Sequence, residues 1–389
     1  MVVLFFTYII FILTSKVFKQ DLKIYFIFTT LVLATLAFFY VPNHEADLTL
    51  AYEHLNAIRE YGWKYILETQ KWTTYFNGLP TLQIYFYLIS LLQLNNFLPC
   101  ITVIIIYGLT LHRVYTISKV NNLSNNDAFK IGIFILLFFD FHGLVSGIRN
   151  LLAFSIFSYF LYIDLIENKN KILCWFMYLI SFGIHSSCSI LIIIRLLLYI
   201  KLETVKVILI VLMIQLGNII ELLSEVLNKY SGNFIISIIY MKFKSYTEGG
   251  NEDNMRIPYY YQLIINNRVI LCISMIILIL ILWYKNNSIR KNSLILVYFY
   301  ICIFLLGIYL TPKVSYHVFV RYSNMLILLA PIVWGSYYSN CKKIKVIKFS
   351  EQLKIKLVDI PFFIILLVGL YYMMRYSYYT MEFGFKIFN

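Results

Sequence analysis

Residues 22–41 read LKIYFIFTTLVLATLAFFYV, an apolar run with Lys23 as its single charge, set near its start. As a helix, a run of this length extends about 30 Å, the thickness of a bilayer's hydrocarbon core. Hydrocarbon offers no hydrogen-bond partner, so the backbone there must satisfy itself as a helix. Ile131–Leu144, Val205–Ile220 and Phe362–Met374 have the same character. The whole chain of 389 residues follows suit: 61% are hydrophobic and only 13% charged, about half the ~25% charge of soluble domains. The sequence predicts an all-α polytopic integral membrane protein, one multi-spanning domain over residues 1–389.

The net charge of +14 has to be placed before it is interpreted. It gathers at Lys16/Lys19/Lys23, Arg113/Lys119/Lys130, Lys169/Lys171, Arg195/Lys201/Lys206, Lys285/Arg290/Lys291 and the tract from Lys342 to Lys356, each between two apolar runs. Basic residues concentrated in short loops on one side are the positive-inside pattern, so the charge reads as topology rather than as nucleic-acid binding. Placing these groups inside gives twelve crossings with both termini outside, near residues 2–15, 24–41, 99–117, 131–148, 150–166, 172–185, 187–200, 207–223, 264–284, 293–310, 322–339 and 357–374. Residues 42–98 then form a first outer loop, in which Thr81–Leu94 is too short for a comfortable crossing and is read as an interfacial or re-entrant helix. A second large outer loop spans residues 223–263. No basic leader precedes the first apolar run and no small-residue cleavage site follows it, so that segment is expected to be retained. The six cysteines form no CxxC and read as small apolar fillers. No GxGxxG, Walker A or HExxH pattern is present.

Chemistry is expected in the outer segments. The first loop mixes Glu45, Asp47, Tyr52, Glu53, Arg59 and Trp63. Polar groups interleaved with aromatic faces suit a sugar ring, and the same mix also makes an ordinary interfacial helix. Arg149, in Ser146-Gly147-Ile148-Arg149-Asn150, falls between two apolar segments. A guanidinium there requires an anion or a wet cavity, or else snorkels to the headgroups. Its donor fork fits phosphate oxygens. His185 closes an apolar run, with Ser181 and Ser189 one turn away on a helix, and could orient a phosphate or accept a proton. Asp140 and His142, two apart in Phe139-Asp140-Phe141-His142-Gly143, point to different faces of a helix and could each line the Arg149 cavity. Arg321 with His317, and more weakly Arg268, could add phosphate contacts on the same face.

The segments Gly147-Ile148-Arg149-Asn150-Leu151-Leu152-Ala153-Phe154, Glu167-Asn168-Lys169-Asn170-Lys171 and Ser181-Phe182-Gly183-Ile184-His185-Ser186-Ser187 resemble the EpsG family of Wzy-like polysaccharide polymerases. The likeness rests on Arg149/Ala153 at a helix start, the basic hairpin at Lys169/Lys171, and His185 followed by Ser186-Ser187. Asp47 with Tyr52, and Arg321-Tyr322, match further family elements. The resemblance spans roughly residues 42–200 and weakens towards 340; Asn150 departs from it, since Gln is commoner there. It implies glycosyl transfer at the outer face of a bacterial cytoplasmic membrane, from one undecaprenyl-diphosphate-linked oligosaccharide to another. A chain-length regulator and a flippase would be pathway partners.

On this reading Arg149 and Arg321 stabilise the leaving diphosphate, while Asp47, Glu45 or His185 serves as base. Tyr52, Asp140, His142, His317 and Arg268 are further candidate contacts, and no metal or cofactor is expected. One rival is a metal-using glycosyltransferase with a lipid-monophosphate donor, in which Glu45 and Asp47 would hold Mg²⁺ or Mn²⁺. Another is a flippase for lipid-linked sugars.

Overall fold

The computed structural model describes residues 21–42, 47–68, 79–200, 208, 211–212, 215–229, 259–286, 289, 292–310, 316–340, 346–348, 354–356 and 359–380. The expected crossing at 2–15 lies outside them, as do Glu45 and most of the second large outer loop. Helices dominate: α1 (Leu22–Phe38), α2 (Asp47–Glu68), α3 (Pro80–Ser90), α4 (Phe97–Val120), α5 (Asn125–Phe138), α6 (Phe141–Ser146), α7 (Ile148–Tyr162), α8 (Lys171–Ile184), α9 (Cys188–Leu197), α10 (Leu216–Lys229), α11 (Tyr259–Lys285), α12 (Ser293–Tyr309), α13 (Tyr316–Asn340) and α14 (Asp359–Thr380). A π-helical turn, Ile163–Glu167, extends α7. An antiparallel ribbon pairs β1 (Val346–Lys348) with β2 (Lys354–Lys356).

Among the described residues, four helices, Phe97–Val120, Ile148–Glu167, Tyr261–Lys285 and Tyr316–Asn340, are long and apolar enough to cross a membrane. Their neighbours carry large apolar side chains on the outside, among them Ile27, Leu31, Ile172, Phe176, Leu179 and Leu367. A helix apolar on every side belongs in a bundle whose solvent is lipid. Hydroxyls buried in it return hydrogen bonds to their own helix: Thr29 to Tyr25 O at 2.9 Å, Thr30 to Phe26 O at 2.9 Å and Thr110 to Ile106 O at 2.6 Å. Helix starts follow polar punctuation, since Asp21, Ser124 and Asn292 accept backbone N–H groups of α1, α5 and α12.

α4 and α13 form the centre. α1 lies along α4, α7 packs on its other side, and α13 crosses α4, α5, α7, α11 and α12. Trp334 of α13 is fully enclosed. The helix ends sort into two groups. At one, Lys130 bridges Asp127 at 3.4 Å and Asp359 at 2.6 Å and stands over the Tyr338 ring, while Asn286 bonds Asn340 at 2.8 Å. At the other, Arg149 meets Asp47, Tyr261 packs on Tyr316 and His317, and the Tyr322 hydroxyl donates to Ser187 O at 2.9 Å.

Two expectations are corrected. The stretch 131–148 is not one helix: α5 stops at Phe138, the chain extends through Phe139 and Asp140, and α6 restarts for six residues. Gly147 then makes the passage into α7, where a Cβ would stand 2.9 Å from Gly143 O. Arg113 and Arg195 do not belong to basic loops, being 1% and 5% exposed within helices. Arg195 Nε donates to Asp164 Oδ2 at 2.7 Å, an oxygen that also accepts from the Tyr178 hydroxyl at 3.0 Å. Thr81–Leu94 contains the eleven-residue α3, about 16 Å long and short of a bilayer's ~30 Å.

Candidate functional site

The first-loop helix α2 begins at Asp47 and bends at Gly62, whose φ of +65° suits glycine. It is fixed to α3 and the turn after it: His54 Nε2 lies 2.9 Å from Gln83 Oε1, Arg59 Nε donates to Ser90 O at 3.0 Å, and Trp63 meets Tyr87 edge to face. This docking sets the start of α2 over the start of α7. Asp47 Oδ2 stands 3.8 Å from Arg149 Nη2, with the carboxylate side chain 45% exposed and the guanidinium 17%.

Arg149 sits in the first turn of α7, whose N-cap Gly147 supplies no side-chain cap. The opening N–H groups of a fifteen-residue helix therefore have no side-chain acceptor at the cap, and they carry the positive end of its dipole. Asn150 follows, 9% exposed, its amide oxygen and nitrogen enclosed and without hydrogen-bond partners. An uncapped helix start with an arginine and an unsatisfied amide is a ready receptor for an anion.

His185 approaches from the link between α8 and α9. α8 ends at Ile184 and His185 is extended (φ −149°, ψ 122°), so Ser181 and Ser189 do not flank it on one continuous helix face as the sequence suggested. The Ser187 N–H donates to His185 Nδ1 at 3.2 Å. With Nδ1 accepting, the neutral ring carries its proton on Nε2, which makes that nitrogen a donor. Tyr322, by holding Ser187 O, fixes this link from α13. The charges of Arg149 and Arg321 both act on the His185 ring, and those of Arg321 and Asp47 both act on His317. Asp47, Arg149, His185, His317 and Arg321 therefore form one cluster drawn from α2, α7, the α8–α9 link and α13.

The remaining candidates gather beside the helix break. Asp140 is the N-cap of α6, and its carboxylate fills the space where Gly143 would place a Cβ. Asp140 therefore lies in the break and His142 in the short helix after it, instead of both riding on one longer helix as expected. His142 Nδ1 and the Tyr40 hydroxyl are joined by a 2.7 Å hydrogen bond. The charge of Asp140 and the phenol of Tyr52 both bear on Tyr40, and the Tyr52 hydroxyl is enclosed without a hydrogen-bond partner. Arg268, 3% exposed, donates from Nη2 to Phe138 O at 2.7 Å and feels the Asp140 charge. It binds a carbonyl that the break strands, so its contact here is with the protein's own backbone.

Sequence reasoning missed Tyr40, Tyr322 as the anchor of the His185 link, and the Ser187 N–H that sets the imidazole tautomer. A phenol at the end of the run 22–41 was the available signal for the first; the others depend on tertiary contacts. Among the described residues no three His, Cys, Asp or Glu side chains come together as a metal-ligand group, and Glu45 stands outside those residues. Compared with protein families, curated proteins and solved structures, the chain finds no match.

Proposed function

We propose that this protein is a membrane-embedded glycosyltransferase that polymerises lipid-diphosphate-linked oligosaccharide repeats, with the Arg149 end facing outward across a bacterial cytoplasmic membrane of twelve crossings. The observation that carries the reading is the convergence of Arg149, Arg321 and the His185 ring at the uncapped start of α7. Every one of these groups donates to an anion, and a lipid-linked diphosphate presents oxygens to receive them. In the proposed step an acceptor sugar hydroxyl attacks the anomeric carbon of the donor. The new glycosidic bond forms as the bond from that carbon to the diphosphate oxygen breaks, and the electron pair leaves with the diphosphate. Arg149, Arg321 and His185 Nε2–H stabilise the charge that develops there.

Asp47 takes the hydroxyl proton. It is a carboxylate at the edge of the same cluster, half exposed towards the first loop, where an acceptor would enter. His185 is better suited to donating than to serving as base, because its Nδ1 is engaged and Nε2 holds the proton. Tyr40, Tyr52, Asp140 and His142 offer hydroxyl, carboxylate and imidazole partners for sugar hydroxyls beside the diphosphate.

Reconstitution in liposomes with a lipid-diphosphate oligosaccharide, with and without EDTA, tests the proposal. A ladder at repeat-unit spacing that survives chelation is expected. Addition of single sugars abolished by EDTA supports the metal-using rival built on Glu45 and Asp47. Unchanged substrate appearing across the bilayer supports a flippase.

A further inference from the structure

Arg113 is buried in α4, and none of its three guanidinium nitrogens has a hydrogen-bond partner among the described residues. A guanidinium stays charged at any pH a protein meets, and an enclosed charge needs a counter-charge or acceptors. The neighbours add a donor instead. The Arg113 charge acts on Tyr159 and Tyr162 of α7, and the Tyr162 hydroxyl is likewise enclosed and unpartnered. Tyr159 is occupied, its hydroxyl 3.2 Å from His112 Nδ1. The nearby carboxylate, Glu167, also bears on both tyrosines but pairs with Lys169 at 3.2 Å and forms no ion pair with Arg113.

Arg113 and Tyr162 together lack one thing: a shared acceptor carrying negative charge. We propose that the seam between α4 and α7 holds a second anion site, in which Arg113 and Tyr162 bind the oxygens of a phosphate group. The planar guanidinium fork matches phosphate, and the phenol can donate to a further oxygen. His112, beside Arg113 in sequence, is exposed and Tyr159 is half-exposed, with a hydrogen bond between them; in the proposal, opening that bond admits the phosphate group. Arg149 opens α7 and Tyr162 closes it, which separates the two sites by about 20 Å along the helix. The phosphate has two possible sources, a phospholipid headgroup entering from the side or free inorganic phosphate.

The test uses the purified full chain in dodecyl maltoside, titrated separately with phosphatidylglycerol and with inorganic phosphate, and read by thermal unfolding and by lipid retained in native mass spectrometry. Saturable stabilisation by phosphatidylglycerol is expected, weakened several-fold in Y162F and at least tenfold in R113M. Arg149→Ala should leave the Arg113-dependent part of the response intact, which separates this site from any phosphate bound at the proposed catalytic cluster. An equal, Arg113-dependent response to inorganic phosphate alone would assign the free ion as ligand. If R113M fails to fold, Y162F decides: phosphatidylglycerol and phosphate affinities both equal to those of the native chain would overturn the proposal.

Discussion

On the proposed mechanism, replacing Arg149 by alanine should separate catalysis from folding, because its ion pair with Asp47 and its proposed action on the leaving diphosphate differ greatly in size. Its ion pair with Asp47 is 3.8 Å long and the carboxylate is 45% exposed, so its loss costs less than about 1 kcal/mol of stability. A fixed donor aimed at charge developing on a leaving group contributes about 2.7–4 kcal/mol to the transition state, or a factor of about 10²–10³ in rate. R149A should therefore keep its thermal transition within a few degrees of the native chain and lose at least a hundredfold in turnover. R149K should recover little, since a point charge lacks the two-pronged geometry that grips neighbouring oxygens. The assay is single-turnover consumption of a fluorescent lipid-diphosphate oligosaccharide in proteoliposomes, alongside an unfolding curve for each variant. An R149A rate within threefold of native, with folding intact, would refute the diphosphate assignment.

Breaking the Asp164–Arg195 pair as D164N should destabilise the bundle by about 3–5 kcal/mol, because it leaves a buried guanidinium uncompensated; an unfolding midpoint unmoved in detergent would contradict this. His54 is 4% exposed, and burial lowers its pKa from the usual 6.5, against the opposing effect of its bond to Gln83. A lowered folded-state pKa means that the unfolded segment binds more protons, so the docking of α2 on α3 should be complete above about pH 6.5 and weaken as the pH falls below it. Hydrogen exchange across Asp47–Glu68 at pH 7.5 and 5.5 checks the direction, with H54Q expected to flatten the dependence. Cysteines introduced at Asp47 and His317 should react with an impermeant reagent from one face of the membrane, and cysteines at Lys119 and Lys169 from the other; labelling of Asp47 and Lys169 from the same face would break the proposed orientation.

The helical class was legible because lipid leaves a backbone few alternatives, and runs such as 22–41 announce it by length and composition alone. The Arg149 cluster was partly legible for a related reason. Polar residues at the ends of apolar runs are unusual in such a chain, and Asp47, Arg149, His185 and Arg321 all stand at such ends. The break after Phe138 was not legible: no proline marks it, and the apolar residues around Asp140 continue a helical pattern. What stabilises it, Arg268 on the Phe138 carbonyl, comes from more than a hundred residues away. Arg113 and Arg195 were misplaced because a count of charges along the chain carries no information about depth. The phase of His185 relative to Ser189 was misjudged for a local reason, since the chain turns within His185-Ser186-Ser187 instead of continuing the helix.

The grip of Arg268 on the broken helix also has a mechanical side. A buried carbonyl left over at a helix end needs a donor, and Arg268 reaches Phe138 O from the wall of α11. The C-terminus of α5 and α11 are thus coupled as two bodies on one hinge pin. If a ligand settling on Asp140 and His142 displaces the break, it must drag α11 along or unlatch it. The interruption after α5 is thereby tied to the same helix whose Tyr261 packs on Tyr316 and His317, so a displacement of the break would be transmitted along α11 towards that end of the bundle.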